Sequence, residues 1–399
     1  MVPKSGKLSA AEIEIGVNSE NFSFPLKSGE TVETGEDWVS SRGDWVENQS
    51  GGLCGKMKEI SQKVRRCGMK FGLWFEIESA AKTSQIVRIH PEYFIEHNDY
   101  YFLNFENSAA RKYILETLER NIKEYNIEFI KFDFNQDMDF DFSKAAVINY
   151  LRGYEKVIYR LKKTHPEIHL ENCASGGLRA DLHNSFIFDS FWLSDNQSPL
   201  EGMRIFKEGI KRLPPQCIEK WAVVTSVQDI FPVYGKNEKC EKIISAHDAT
   251  CDAAIGISKS FLKGFLSGGP IGISCDLTKL SDDLIKLLAE HIKEFKSEHE
   301  FWASASCRIL CDTEKVLVLC YSARDKIKLI AYSYKTNQNS IYVYPKLDSA
   351  SEYLFEGKVI SGKDIAENGI EIKLCGNYKA SFAELIRCKK YSKPEHCSR

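Results

Sequence analysis

Between about residues 52 and 298, short apolar runs alternate with stretches whose apolar positions recur every three or four residues. Residues 57–66 carry Met57, Ile60 and Val64 at helical spacing, and Cys67-Gly68 breaks the pattern. Residues 70–76 read as a strand. Ser108 is placed to cap a helix over 109–125, with Tyr113, Ile114, Leu118 and Ile122 on its apolar face. A strand ending at Asp133 follows, then a helical segment near 145–164 and a strand over 168–173. A short crossover containing Leu178 to Asn184 leads to a strand ending at Asp195. Residues 221–225 and 271–274 are weaker strand candidates, and 280–295 form an amphipathic helix. This alternation predicts an α/β fold with a parallel sheet and right-handed crossovers. Length and the placement of polar residues at strand ends favour a (β/α)8 TIM-type barrel.

After about residue 299 the period changes. Residues 315–321, 326–332 and 340–344 alternate apolar and polar positions between turn residues, which predicts an antiparallel, sandwich-like β domain. Residues 1–35 are polar and poorly periodic, with Ser28-Gly-Glu-Thr31 as a turn signal. The expected division is therefore 1–35, 36–298 and 299–399.

Charge removes several function classes. The 399 residues hold 54 basic and 56 acidic side chains, a formal net charge of −2. Nothing there provides the electrostatic footprint of a nucleic-acid or anionic-membrane binder. No apolar run approaches the ~20 residues of a membrane span, and the first residues carry no apolar signal core. Thirteen scattered cysteines, with no paired Cys-x-x-Cys, argue against a zinc or disulfide framework and for reduced thiols in the cytoplasm. His247-Asp248 with Cys251 and Asp252 reads as an exposed helical face rather than a metal site. Neither Gly-x-Ser-x-Gly nor His-Glu-x-x-His occurs, so the common serine-hydrolase and zincin signatures are absent.

The candidate chemistry lies at strand ends, where α/β sheets face their ligands. In Phe129-Ile-Lys-Phe-Asp-Phe-Asn135 the period of two puts Lys131, Asp133 and Asn135 on one side. That suits an ionised nucleophile beside a cation, or a strand-end salt bridge. Asp195 follows Trp192. A carboxyl against an aromatic wall is expected to stay protonated as a general acid, the bland alternative being a helix N-cap. Gly176-Gly177 would let a ligand approach the backbone, or simply turn the chain; Walker spacing is lacking. Trp74 could stack on a sugar, and Glu76 and Glu78 either join the site or form a solvated strand end. Two carboxylates on different strands of a near-neutral chain suggest covalent and acid/base chemistry on a sugar.

At these residues the sequence resembles the melibiase-type glycoside hydrolases of family 36. Gly68-Met-Lys-Phe-Gly-Leu-Trp-Phe-Glu-Ile-Glu78 is similar to that family's GMKFGLWFEPE. Residues 129–135 resemble its nucleophile strand YIKWDMN, residues 171–177 its ENCSSGG, and Trp192-Leu-Ser-Asp-Asn196 its WTSDN. Gly43-Asp-Trp45 and residues 276–281 match further stretches, so the resemblance covers roughly 36–298. It implies a retaining α-galactosidase with Asp133 as nucleophile and Asp195 as general acid/base. Trp74, Lys131, Asn135, Cys173 and Gly176 would line the sugar subsite nearest the chemistry. The implied partner is a carbohydrate substrate, with no metal or organic cofactor.

Departures matter too. The family has two barrel strands and an Asp-Asp-Gly-Trp motif upstream of its Gly-Asp-Trp, whereas residues 22–34 here run almost straight into Gly43-Asp-Trp45. The barrel is thus expected to be incomplete, with edges that a homo-oligomer or a rearrangement would cover. The family's Gly-Arg-x-Gln is not recognisable between His90 and Asn107, and the Pro of FEPE is Ile77. The rival expectations are an α-glycosidase or transglycosidase of other specificity, or a degenerate sugar-binding remnant.

Overall fold

The computed structural model describes residues 22–25, 31–34, 38–50, 55–97, 100–136, 144–223, 241–243, 255–274 and 280–388. The histidine and acidic residues near 247–252, and most of the 276–281 stretch, lie outside the described residues.

Four strands form a parallel sheet in chain order: β1 (Gly72–Phe75), β2 (Phe129–Phe132), β3 (His169–Asn172) and β4 (Ser190–Phe191). A parallel bridge from Phe191 to Ile218 continues the arc, and the Glu219 amide donates to the Phe191 carbonyl. β5 (Lys220–Val223) follows and pairs in parallel with β6 (Ile271–Ser274). All four residues of β1 and all four of β2 are buried, as strands covered on both faces require. The register aligns Trp74, Lys131, Glu171 and Ser190 as one row across β1 to β4. Neighbours in register point to the same face, so this polar row shares one side of the sheet.

Helices fill the connections as the periodicity predicts. Met57–Arg66 buries Met57, Ile60 and Val64. Its N-cap Lys56 supplies no side-chain bond; the buried Glu47 carboxylate instead accepts the Met57 amide proton at 2.8 Å. A negative group there also meets the positive end of the helix dipole. The Ser108–Tyr125 helix is capped one residue earlier than expected. Asn107, in extended conformation, accepts from the Ala109 amide at 2.8 Å, so Ser108 is the first helical residue. Lys144–Thr164 links β2 to β3, and Pro199–Gly209 links β4 to β5.

Three strand ends differ from expectation. β1 and β2 stop before Glu76 and Asp133, although the Asp133 amide still donates to the Phe75 carbonyl at 2.9 Å. The expected strand to Asp195 contracts to Ser190–Phe191. Beyond it the Asn196 amide bonds the Ser194 hydroxyl and the Ser198 amide bonds the Asn196 side chain, local bonds that compete with a ladder. A small antiparallel sheet, Ser79–Ala81, Tyr100–Leu103 and Phe94–His97, was not foreseen. It sets Phe102 against Phe134 and Ala174, beside the ends of β2 and β3.

The C-terminal region is β-rich. Its six-stranded antiparallel sheet is centred on Val316–Ala323, Lys326–Ser333 and Lys379–Arg387, and Ser340–Val343 pairs separately with Ile370–Lys373. Val318, Leu329, Val343, Ile370, Ile372 and Leu385 form one core between these layers. The expected alternation fails in Val316–Ala323, where the first six residues are all buried. The second face carries Leu317, Leu319 and Tyr321, which join the same core as Phe261, Phe265, Phe301 and Trp302 of the helices beneath. Both faces are therefore apolar, as a doubly covered strand must be.

Candidate active site

Asp133 follows β2 directly, at the C-terminal end of the parallel sheet, and is 7% exposed. Its Oδ2 accepts from the Trp74 indole at 3.0 Å and from the Asn135 amide at 2.8 Å; its Oδ1 accepts from the Phe134 backbone at 2.7 Å. The Cys173 thiol donates as well. Burial alone would push this carboxyl up. The Lys131 ammonium and the donors around it outweigh burial and hold it below the usual carboxylate range. Asp133 is therefore an ionised, desolvated carboxylate with fixed partners, which is what a carboxylate nucleophile requires.

Lys131 lies one layer deeper and is almost completely buried. Its Nζ is 2.7 Å from Glu171 Oε1 and 3.7 Å from the centroid of the Trp192 ring. Burial works against its charge, but the acidic groups around it more than compensate and keep it protonated. Trp192 in turn donates its indole N–H to Asp195 Oδ1 at 2.7 Å. Lys131 and Trp192 thus link the two aspartates beyond β2 and β4, at one end of the sheet. Asp195 is exposed, and its contact with Trp192 is a hydrogen bond rather than the burial against a ring face that the sequence suggested.

Two further expectations change. Trp74 is 1% exposed and packs on Trp45 at 5.9 Å, so its ring is not a stacking platform; it presents its N–H to Asp133. Gly176, at φ +84°, is approached by protein: a Cβ there would lie 2.7 Å from the Leu193 carbonyl oxygen. Together with the bond from the Gly177 amide to the same carbonyl, this ties the loop after β3 to the loop carrying Asp195. Cys173 is buried, and burial pushes its thiol well up, so it remains a donor to Asp133. Asn135, exposed at the mouth, also reaches Glu76 at 3.4 Å and accepts from the Ser175 hydroxyl at 3.4 Å.

A Melibiase family model matches residues 23–229, more than half of the chain. The chain belongs to the melibiase family. It is 26% identical over 281 residues to the alpha-galactosidase Mel36A of Lactobacillus acidophilus, covering 66% of this chain and 35% of that relative. It is 28% identical over 174 residues to the bifunctional alpha-galactosidase/sucrose kinase AgaSK of Mediterraneibacter gnavus, covering 42% and 18%. Among solved structures, the alpha-galactosidase of Lactobacillus brevis superposes with a TM-score of 0.73 at 18% identity, over 90% of this chain and 50% of that one. The family 36 alpha-galactosidase AgaA of Geobacillus stearothermophilus gives 0.71 at 19% identity, over 88% and 49%. The chain therefore spans about a third or less of the length of these curated relatives and about half of the solved ones.

Around this melibiase-family site, the solvated reading of Glu76 and Glu78 does not hold. Glu76 is fully buried, receives Ser79 and Gln136 at 2.8 and 3.1 Å, and has Arg42 at 3.4 Å. Burial raises its carboxyl despite Arg42. Glu78 takes both arms of Arg179, at 2.5 and 3.0 Å, and the Tyr150 hydroxyl at 2.9 Å. This pair clamps the β3 loop to the segment after β1. Sequence reasoning missed Arg42, Tyr150, Arg179 and Glu219 as supports. The one available signal was the presence of ionisable residues inside or beside otherwise apolar runs.

Proposed function

We propose that this chain carries the catalytic centre of a retaining glycosidase that removes terminal α-linked galactose from oligosaccharides or glycoconjugates. The observation that carries the reading is Asp133: a buried carboxylate held ionised by Lys131, Trp74 and Asn135 at the C-terminal end of the parallel sheet. Asp133 attacks the anomeric carbon while Asp195, exposed at the mouth and oriented by Trp192, protonates the leaving oxygen. Asp195 then takes a proton from water, which releases the sugar from Asp133 with retained configuration. Lys131, Asn135, Cys173 and Gly176 are proposed at the sugar subsite, with Trp74 acting through Asp133. The names of the relatives support this substrate class, and an AgaA variant has been solved in complex with raffinose.

In this reading residues 36–298 are a TIM-type catalytic domain whose six parallel strands are the last six of eight, and 299–399 a sandwich domain. Residues 22–34, where Phe22–Pro25 pairs with Thr31–Thr34, are a remnant of a β domain. Trp38, Val39 and Trp45 pack against β1, the edge strand of the arc among the described residues, with Trp38 donating to the Trp74 carbonyl at 3.0 Å. A second copy of the chain covering this edge would make a homo-oligomer. The free thiols among the described residues fit the cytoplasm. A different α-glycoside is the second reading, favoured by the absent Asp-Asp-Gly-Trp. The test is hydrolysis of a panel of 4-nitrophenyl α-glycosides, with the first-formed anomer followed by NMR. Galactoside cleavage with retention, abolished in Asp133→Ala, is expected. Full turnover by Asp133→Ala, or an inverted product, overturns the mechanism.

A further inference from the structure

The row beneath Asp133 does not end at Lys131. Glu171 is the in-register neighbour of Lys131 on β3, and Ser190 is that of Glu171 on β4. Glu219, brought in by the Phe191–Ile218 bridge, meets this row, its carboxyl set against that of Glu171. Glu219 also accepts from the Ser190 hydroxyl and, at 2.9 Å, from the Trp221 indole. Ser190 has one proton to give and gives it to Glu219, so His169 Nε2, 2.7 Å from Ser190, is the donor of that pair. Glu171 and Glu219 are 1% and 9% exposed. Two touching carboxyls this deep do not both ionise.

We propose that Glu171 and Glu219 hold a single proton between them, carried by Glu171 and donated to Glu219, and that they are positioning residues which leave the charge of Lys131 to Asp133. An ionised Glu171 at 2.7 Å would neutralise Lys131 where Asp133 needs it. A protonated Glu171 keeps its Oε1 2.7 Å from the Lys131 ammonium while placing the negative charge one residue further away, on Glu219. The surroundings favour this division. Lys131 and Cys173 face Glu171; Ser190, Trp221 and His169 face Glu219; Asp189, Lys162 and Lys70 face His169. Burial keeps His169 neutral against the pull of Glu219 and Asp189. Burial and the neighbouring Glu219 raise Glu171 well up, whereas donors hold Glu219 down against burial.

The kinetic part of the test rests on the proposed glycosidase reading; the spectroscopic part does not. Infrared spectra of the full chain at neutral pH are expected to show a carboxylic-acid carbonyl band that shifts in D2O and is lost in both Glu171→Gln and Glu219→Gln. A band unchanged in both variants, or none in the wild type, overturns the shared proton. The kinetic signature is asymmetric. Glutamine at 171 reproduces the acceptor and donor of a protonated acid, so Glu171→Gln leaves the acid limb of kcat/KM in place. Glu219→Gln forces the charge onto Glu171, beside Lys131, and moves the acid limb up by about one pH unit. Equal displacement in both variants, as for a purely structural pair, overturns the positioning role. If the wild type cleaves no glycoside, the glycosidase reading fails and the infrared result still decides the shared proton.

Discussion

Trp74→Phe isolates the indole bond to the Asp133 carboxylate. The replacement keeps an aromatic ring in the Trp45 cluster and removes one donor, 3.0 Å from Asp133 Oδ2. A hydrogen bond to a charged group contributes about 1.5–3 kcal/mol. Asn135, the Phe134 amide, the Cys173 thiol and Lys131 remain, so the lower end applies. At about 1.4 kcal/mol per pKa unit this raises the Asp133 carboxyl by about one unit. Asp133 is depressed in the folded state. Its contribution to stability is therefore full above the unfolded carboxylate value and is lost as pH falls through the folded value. The variant should lose about 1.4 kcal/mol more stability at pH 7 than in acid, on top of a pH-independent cavity cost of about 1–2 kcal/mol. The assays are urea unfolding across pH and the acid limb of kcat/KM on an aryl α-galactoside, expected to move up by about one unit. Equal destabilisation at every pH with an unmoved acid limb would refute the reasoning and leave Trp74 as packing alone.

Arg179→Met strands Glu78 with Tyr150 as its remaining neutral donor and should cost about 3–5 kcal/mol in urea unfolding. Adding Glu78→Gln should recover much of that loss, and a single-variant cost below about 1 kcal/mol would show that the clamp is dispensable. Lys220 is buried under the rings of Phe206 and Phe265, with the Ser267 carbonyl as its hydrogen-bond acceptor, and burial pushes its ammonium down to about 7. The unfolded chain binds that proton up to about pH 10, so wild-type stability should rise between pH 7 and 10. Lys220→Met should be at least as stable at pH 7 and should lack that slope; a slope unchanged by the substitution would contradict the buried neutral lysine.

The parallel core and its helices were legible because their periods are local. Met57–Arg66, Ser108–Tyr125 and Lys144–Thr164 each show an apolar stripe, and β1 and β2 are apolar runs too short to be helices. The three-stranded sheet around Phe102 was not legible. Strands of three or four residues have little preference of their own and form because Phe102 finds Phe134 and Ala174. Val316–Ala323 misled for a related reason, since what covers its second face comes from helices far away in sequence.

The same division runs through the site. The chain itself determined that Lys131, Asp133 and Asn135 follow one another at a spacing of two where a strand ends, and that Asp195 follows an aromatic segment, because such spacing and a run of apolar residues need no partner to be read. Only the tertiary structure decided what those groups do to one another. It buried Trp74 as a donor rather than a platform and left Asp195 in solvent. It used Gly176 for the approach of Leu193 and set Glu171 and Glu219, 48 positions apart, side chain to side chain under Lys131. Charge, burial and hydrogen bonding act through space, and proximity across strands is a property that no local pattern of residues encodes.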